Sequence, residues 1–137
     1  MKNNIINKTF DEERSLYNIC NTNVINCIFA GEKDGESVLK ECRDINVQDC
    51  SFSLRYPLWH AKKFTLKNSS MDELTRAPLW YSDNGTIEYC NITGIKCLRE
   101  CKNIVVNNCN IASPEFGWRC KKLIIANSTI DSMYFFV

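Results

Sequence analysis

Residues Val106–Ile111, which read Val106-Asn107-Asn108-Cys109-Asn110-Ile111, decide the fold because their pattern returns along the whole chain. The pattern is an apolar residue, two residues that often include Asn, a Cys or Ser, one further residue and an apolar residue. Its seven copies begin at positions 5, 24, 47, 66, 87, 106 and 125, at spacings of 19, 23, 19, 21, 19 and 19 residues. Repetition at such regular intervals is typical of solenoids, in which each repeat stacks on its neighbours.

A second column of small residues precedes the Cys or Ser of most repeats by eight positions. We also assign Cys20 to it, although Cys20 precedes Cys27 by seven. Between the two columns, apolar residues alternate with polar ones, as Ile45 and Val47 do, which is typical of a strand with one buried face. Each repeat is therefore predicted to hold short β segments joined by polar corners. The other small residues are Cys42, Ala61, Ser82, Cys101 and Cys120.

Two solenoid classes fit this spacing, and the second half of the repeat separates them. A leucine-rich repeat matches the segment Ile45–Phe52 but returns through a helical segment. Here the return segments Arg55–His60 and Arg76–Tyr81 are aromatic and interrupted by Pro, which favours strand and bend. We therefore predict an all-β, right-handed parallel β-helix of about six turns, with 19–23 residues per turn and an Asn ladder at its corners.

The composition narrows the class of protein. The 137 residues suit one domain, 1–137, with residues 1–14 as its first turn or cap. A net charge of +1 gives no general attraction to nucleic acid or to an anionic membrane, so neither is predicted as a partner. No stretch approaches the roughly 18 apolar residues that span a bilayer, and the polar start is no signal peptide. These features predict a cytoplasmic protein.

The nine cysteines are predicted to be reduced, because their number is odd and no signal peptide precedes them. Most of them fall on the two small columns, where Cys serves as a small buried side chain and forms a cysteine ladder. The chain has no CxxC pair, and its only histidine, His60, lies far from the cysteines in sequence. We predict neither a metal site nor a cofactor.

The chain resembles an uncharacterised bacterial family of unknown function that is related to the pectin-lyase-like β-helix superfamily, and it resembles the N-terminal half of that family's members. The resemblance implies the same β-helix but no activity. It also implies that the last turn, at Tyr134–Val137, has no cap. An uncapped end exposes apolar residues and unpaired strands, so we expect either a truncated product or self-association through this end. The motifs that carry the resemblance are Thr9–Arg14, Asp34–Glu41, Arg55–His60, Leu79–Ser82, Leu98–Glu100 and Ser113–Trp118.

Three further columns hold the candidate binding residues. Since equivalent positions of a parallel solenoid stack, these residues are predicted to form a stripe of charged and aromatic side chains. Strict alternation does not settle which columns face outward, because the strand must bend between them. The Trp column is Lys40, Trp59, Trp80, Arg99 and Trp118; the His column is Glu41, His60, Tyr81, Glu100 and Arg119; the Arg column is Glu36, Arg55 and Arg76.

The stripe supports three interpretations. It is a structural cation–π ladder; or it binds carbohydrate through aromatic faces and bidentate polar groups; or it is the site of a polysaccharide lyase or glycoside hydrolase. For catalysis, the only candidates are His60, Arg76, Arg55 and Tyr81. Glu41 and Glu100 lie three turns apart, about 14 Å by strand spacing, which exceeds the separation that glycoside hydrolysis needs. We therefore favour a non-catalytic binding or interaction scaffold.

Overall fold

The computed structural model describes residues 2–31 and 36–135, with Tyr134 and Phe135 described as backbone only. The loop of residues 31–35 makes its repeat four residues longer than 19, and the sequence leaves open whether it overhangs the stripe or is a plain surface insertion. Residues 32–35 of this loop lie outside the described residues. The strands are β1 (Asn3–Ile6), β2 (Thr9–Phe10), β3 (Cys20–Ile25), β4 (Ile28–Ala30), β5 (Arg43–Gln48), β6 (Ser51–Ser53), β7 (Lys62–Lys67), β8 (Ser70–Arg76), β9 (Asp83–Glu88), β10 (Asn91–Ile95), β11 (Cys97–Arg99), β12 (Lys102–Asn107), β13 (Asn110–Ala112), β14 (Glu115–Trp118), β15 (Lys121–Ala126), β16 (Thr129–Asp131) and β17 (Tyr134–Phe135).

These strands form a parallel β-solenoid of about seven turns. Two seven-stranded sheets run along it in the orders β1-β3-β5-β7-β9-β12-β15 and β2-β4-β6-β8-β10-β13-β16, and a third sheet joins β11, β14 and β17. The prediction of an all-β parallel solenoid is confirmed. The turn count is one higher than expected because the faint first repeat forms β1 and β2. The described residues contain no helix long and apolar enough to cross a membrane.

Residues at equivalent positions of successive repeats pair with each other on adjacent turns. Val47 pairs with Leu66, Leu66 with Ile87, and Val106 with Ile125, as the aligned repeats predict. The inward residues of the sheets form one continuous buried core. Cys20 departs from the prediction, because it pairs with Arg43 and is exposed, while Ile19 occupies the small column below Cys42.

The corners are built from single residues in the left-handed conformation, which ordinary side chains adopt at a cost of about 1–2 kcal/mol. Five columns of such residues run along the solenoid. In the column that contains the recurrent Asn residues, φ ranges from 48° at Asn68 to 59° at Asn7. Asn and Asp tolerate this conformation best, which accounts for their recurrence. This corner column is Asn7, Asn26, Asp49, Asn68, Tyr89, Asn108 and Asn127.

Asparagine ladders are present but are spread over several columns. Asn26 donates to Asn7 at the predicted corner, whereas other Asn–Asn bonds lie on the outer faces of the two large sheets and at the corner that contains Asn84. An amide both donates and accepts, so identical side chains one turn apart can pair. The other pairs are Asn23 to Asn4, Asn46 to Asn23, Asn110 to Asn91, and Asn127 to Asn107.

The Cys and Ser side chains of the small columns satisfy buried backbone groups of the turn below. Ser82 Oγ accepts a hydrogen bond from the Ala61 amide at 3.1 Å and donates one to the Leu58 carbonyl at 2.7 Å. Cys101 occupies the same column and donates to the Leu79 carbonyl at 2.7 Å. A small polar side chain in this column therefore stabilises the turn below, because an unpaired buried amide would destabilise the fold. Ala61 shows that a small apolar residue is also accepted at one turn.

Replacing Ser82 with Ala removes both bonds and leaves the Ala61 amide unpaired. We expect Ser82→Ala to lower the free energy of unfolding by about 1–3 kcal/mol, as measured by urea denaturation. Ser82→Cys is the matched control, because Cys occupies this column in neighbouring turns, and its loss should be clearly smaller. Equal losses in the two variants would show that side-chain volume, rather than hydrogen bonding, sets the requirement.

Gly85 sits in the core column because the ring of Phe64, its partner one turn below, fills the space of a side chain. A Cβ on Gly85 would lie 2.2 Å from the ring atom Cζ of Phe64. The large ring of Phe64 thus compensates for the missing side chain of Gly85 on the adjacent turn, which preserves core packing.

The pair predicts compensating substitutions. Gly85→Val alone should destabilise the protein by about 1–3 kcal/mol through overpacking, and Phe64→Val alone should destabilise it by leaving a cavity. The double variant should be more stable than the sum of the two effects predicts, as measured by thermal and urea unfolding. Strict additivity would contradict the packing that we describe.

Candidate functional site

The Trp column faces outward because the backbone breaks strict alternation on both sides of it. Leu58 and His60 both adopt the left-handed conformation, with φ of 59° and 56°. Leu58 and Ala61 are consequently buried, Trp59 is half-buried between them, and His60 is exposed. The question that alternation left open is resolved: the Trp column and the His column both face solvent, while the Leu and small columns both face the core.

Two indoles of the Trp column stack on each other and on a guanidinium. The ring centroids of Trp59 and Trp80 are 5.0 Å apart with planes 8° apart, and Arg99 Cζ lies 5.0 Å from the Trp80 centroid. The indole N–H groups of Trp59 and Trp80 donate to the carbonyls of Ala77 and Lys96, at 2.6 Å and 2.5 Å. Each indole is thereby held in place, and the facing surfaces within this stack are covered by its own members.

The His column is also paired along the axis. The rings of His60 and Tyr81 stack at 5.0 Å with planes 15° apart. Glu41 accepts a hydrogen bond from the Tyr17 hydroxyl, and this bond raises the Tyr17 pKa. Glu100 lies beside Arg99, with Nε and Oε2 3.8 Å apart. The carboxylates of this column are therefore engaged with neighbouring groups.

The Arg column lies apart from the His column. Its residues stack through successive parallel bridges, and Arg55 forms an ion pair with Glu36 at 3.1 Å. Of the four candidate catalytic residues, only His60 and Tyr81 contact each other among the residues that the structure describes. Arg76 is exposed and pairs with Arg55 only through the backbone.

A small crevice lies above Trp80, between Arg99 and Trp118. It encloses about 10 Å³, close to the volume occupied by a single water molecule. Arg99 Nε and Trp118 Nε1 are both buried and have no hydrogen-bond partner among the described residues. The two residues that carry these unpaired donors thus line the same small crevice. Its lining residues are Trp80, Lys96, Leu98, Arg99, Glu115 and Trp118.

Sequence reasoning missed Lys96 and Glu115 in this crevice. Their charged groups lie 4.0 Å apart, on adjacent turns. The signal that could have found them is their separation of 19 residues, which is the repeat length. Each lies four positions after an apolar core residue, Ile92 or Ile111.

The thiols lie on the two small columns, apart from Cys20 and Cys97. No group of three or more His, Cys, Asp or Glu side chains is placed to hold a metal ion across residues 2–31 and 36–135. All nine cysteines are free. Burial raises the pKa of Cys42 to about 12 and that of Cys50 to about 11.

These features define a class of protein: a parallel β-solenoid that carries a column of stacked indoles and cations on one side. The chain belongs to the family described as "Protein of unknown function (DUF3737)", whose model matches residues 3–137. This agrees with the expected family, whereas the link to pectin-lyase-like proteins is not supported.

Comparison with solved structures and curated proteins adds little to the family assignment. One structural match is a trypsin-treated form of QnrB1, a plasmid-mediated fluoroquinolone resistance protein, at 11% identity with a TM-score of 0.19. The match covers 96% of this chain and 92% of that one. So low a TM-score supports no conclusion about function. No curated protein matches the chain.

The burial of the thiols predicts their reactivity. Cys20 is exposed and Cys120 is half-buried, whereas the other seven are buried. Because thiolate is the reactive form, we expect a disulfide reagent at pH 8 to modify Cys20 and Cys120 in the native protein and the remaining seven only after unfolding. Cys20→Ser should remove the fastest phase and leave the folded state unchanged. Rapid modification of all nine thiols under native conditions would contradict this.

Proposed function

We propose that the protein is a non-catalytic binding scaffold and that the crevice at Arg99 and Trp118 is its site for a carbohydrate ligand. One observation carries the proposal: Arg99 Nε and Trp118 Nε1 are buried donors without partners, and both line the same crevice. Buried donors are rarely left unpaired in folded proteins. An oxygen atom of a bound ligand satisfies both.

The surrounding groups suit an acidic saccharide. Lys96 and Arg99 are cations that favour a carboxylate, and Glu115 can accept a hydrogen bond from a sugar hydroxyl. Trp118 takes part in no ring stack among the described side chains, in contrast to Trp59 and Trp80. Its indole therefore remains available for contact with a sugar ring.

The catalytic alternative has weaker support. His60 is stacked on Tyr81, and Arg55 is paired with Glu36. The turns of Glu41 and Glu100 are linked by three successive backbone hydrogen bonds, to the carbonyls of Trp59, Trp80 and Arg99, so three strand spacings, about 14 Å, separate them. The geometry of the crevice instead suits recognition of an oxygen-bearing group. Self-association through the end that carries β15 and β16, and a cytoplasmic location, stay predictions.

Tryptophan fluorescence tests this proposal directly. Titration with a panel of neutral and acidic oligosaccharides should give a saturable change with the acidic members. Trp118→Phe removes the unpaired N–H and should weaken binding about fivefold or more, the effect expected for one hydrogen bond of about 1 kcal/mol.

Trp59→Phe provides the matched control, because the Trp59 indole already donates to the Ala77 carbonyl and lies away from the crevice. Binding by this variant, measured by calorimetry, should match that of the native protein. A flat titration across the whole panel would overturn the proposal and leave the Trp column as a structural ladder. A ligand-dependent signal lost equally in both variants would place the ligand elsewhere on the column.

A further inference from the structure

A groove runs parallel to the solenoid axis beside the His column. It exists because the small column turns inward, as Ala61 does, while the residues on either side of it point outward. One wall is the His column. The other wall is formed by the first residues of successive strands of the first large sheet. In the lower turns a depression of about 220 Å³ lies between the two walls, lined by Asn18, Glu41, Arg43, His60 and Lys62.

The second wall is predominantly cationic. Register stacks Arg43 on Lys62, Lys62 on Asp83, Asp83 on Lys102, and Lys102 on Lys121, and all of these cations are exposed. Two more exposed cations, Arg119 and Lys122, extend the upper part of the groove. The net charge of the chain is only +1, so this concentration of positive charge along the second wall is not evident from composition.

The carboxylates along the groove are already engaged, whereas most of the cations are not. Asp83 pairs with Lys62 at 2.9 Å, and Asp44 pairs with Lys2 at 2.8 Å. Glu41 accepts from Tyr17, and Glu100 lies beside Arg99. Five cations form no ion pair among the described residues, namely Arg43, Lys102, Arg119, Lys121 and Lys122.

Lys102 and Lys121 face each other directly on adjacent strands, at the parallel spacing of about 4.8 Å. Like charges in this position destabilise a sheet. Asp83 lies beside Lys102 on the other side and pairs with Lys62, so it offsets only part of the positive charge along this wall. The remaining exposed cations favour a linear anion that lies along the solenoid axis.

We propose that this groove binds an acidic polysaccharide, with its carboxylates on the Lys102–Lys121 wall and its hydroxyls on the His column wall. The opposite wall distinguishes the class of polymer. Glu41 and Glu100 repel any polyanion, but they can accept hydrogen bonds from sugar hydroxyls, and those bonds offset part of the repulsion for a polysaccharide. An extended acidic peptide places carboxylates on one face about 6.6–6.8 Å apart, further than the spacing between turns.

The groove and the crevice at Trp118 are separate surfaces, and this inference does not depend on the crevice. The two can therefore fail independently. Binding that depends on the lysines but not on Trp118 supports the groove alone.

The test uses the full chain and a fluorescently labelled polyuronate oligomer, with anisotropy as the readout. Lys102→Gln/Lys121→Gln should weaken binding about fivefold to tenfold, the effect of losing two exposed ion pairs, and should reduce the dependence of affinity on salt. The matched control is Lys8→Gln/Lys67→Gln, which removes the same charge away from the groove and should leave affinity within about twofold. Because all four lysines lie at the surface, the control variant should unfold at the temperature of the native protein. Lys102→Gln/Lys121→Gln should unfold at that temperature or slightly above it, because the repulsion between the two lysines is removed.

Competition identifies the class of ligand. Unlabelled polyuronate should displace the probe, whereas its carboxyl-reduced form, poly-Glu and single-stranded oligothymidylate should do so at least tenfold less effectively. Equal competition by poly-Glu or by the oligonucleotide would overturn the assignment to polysaccharide. Equal affinity of the two lysine variants would overturn the groove itself. Loss of probe binding in Trp118→Phe with no effect of Lys102→Gln/Lys121→Gln would move the polyuronate to the crevice.

Discussion

Each turn of this solenoid depends on hydrogen bonds to the turns above and below it. The chain closes a turn in about 19 residues by using single residues in the left-handed conformation, which is strained for side chains such as Leu58 or His60. Their amides nonetheless bond to adjacent turns: Leu58 donates to Val38 below and His60 donates to Trp80 above. The strain is tolerated because neighbouring turns satisfy the backbone that each corner exposes.

The same constraint determines which side chains can carry function. The left-handed residues Leu58 and His60, on either side of Trp59, turn the neighbouring Trp and His columns outward, between the buried Leu and small columns. Aromatic and charged columns therefore lie side by side on the surface. Stacking then couples each residue to its equivalent one turn away. Where the equivalents are both indoles, as with Trp59 and Trp80, the contact covers the surfaces that a ligand would use. Where they differ, as with Arg99 and Trp118, donors remain unpaired.

Several features followed from the sequence because they depend on period alone. The spacing of 19 to 23 residues predicted the parallel stacking, and it gave the partner of Val47 as Leu66. Cys20 shows where reasoning from residue type overrode the period. Because Cys20 is a cysteine, it was assigned to the small column. The residue eight positions before Cys27, however, is Ile19, and the structure places Ile19 in that column. In the first turn that position is only partly covered, so a larger side chain fits.

The sequence by itself determined the repeat, the strand direction and the register, since a regular period allows only one way for successive turns to align their apolar residues. Tertiary structure alone decided which columns face solvent, because that depends on backbone conformation at single residues such as Leu58 and His60 rather than on residue type. It also decided which charges are neutralised. Lys62 forms an ion pair with Asp83 one turn above, whereas the residue one turn above Lys102 is another cation, Lys121. The net charge of +1 does not reveal this difference.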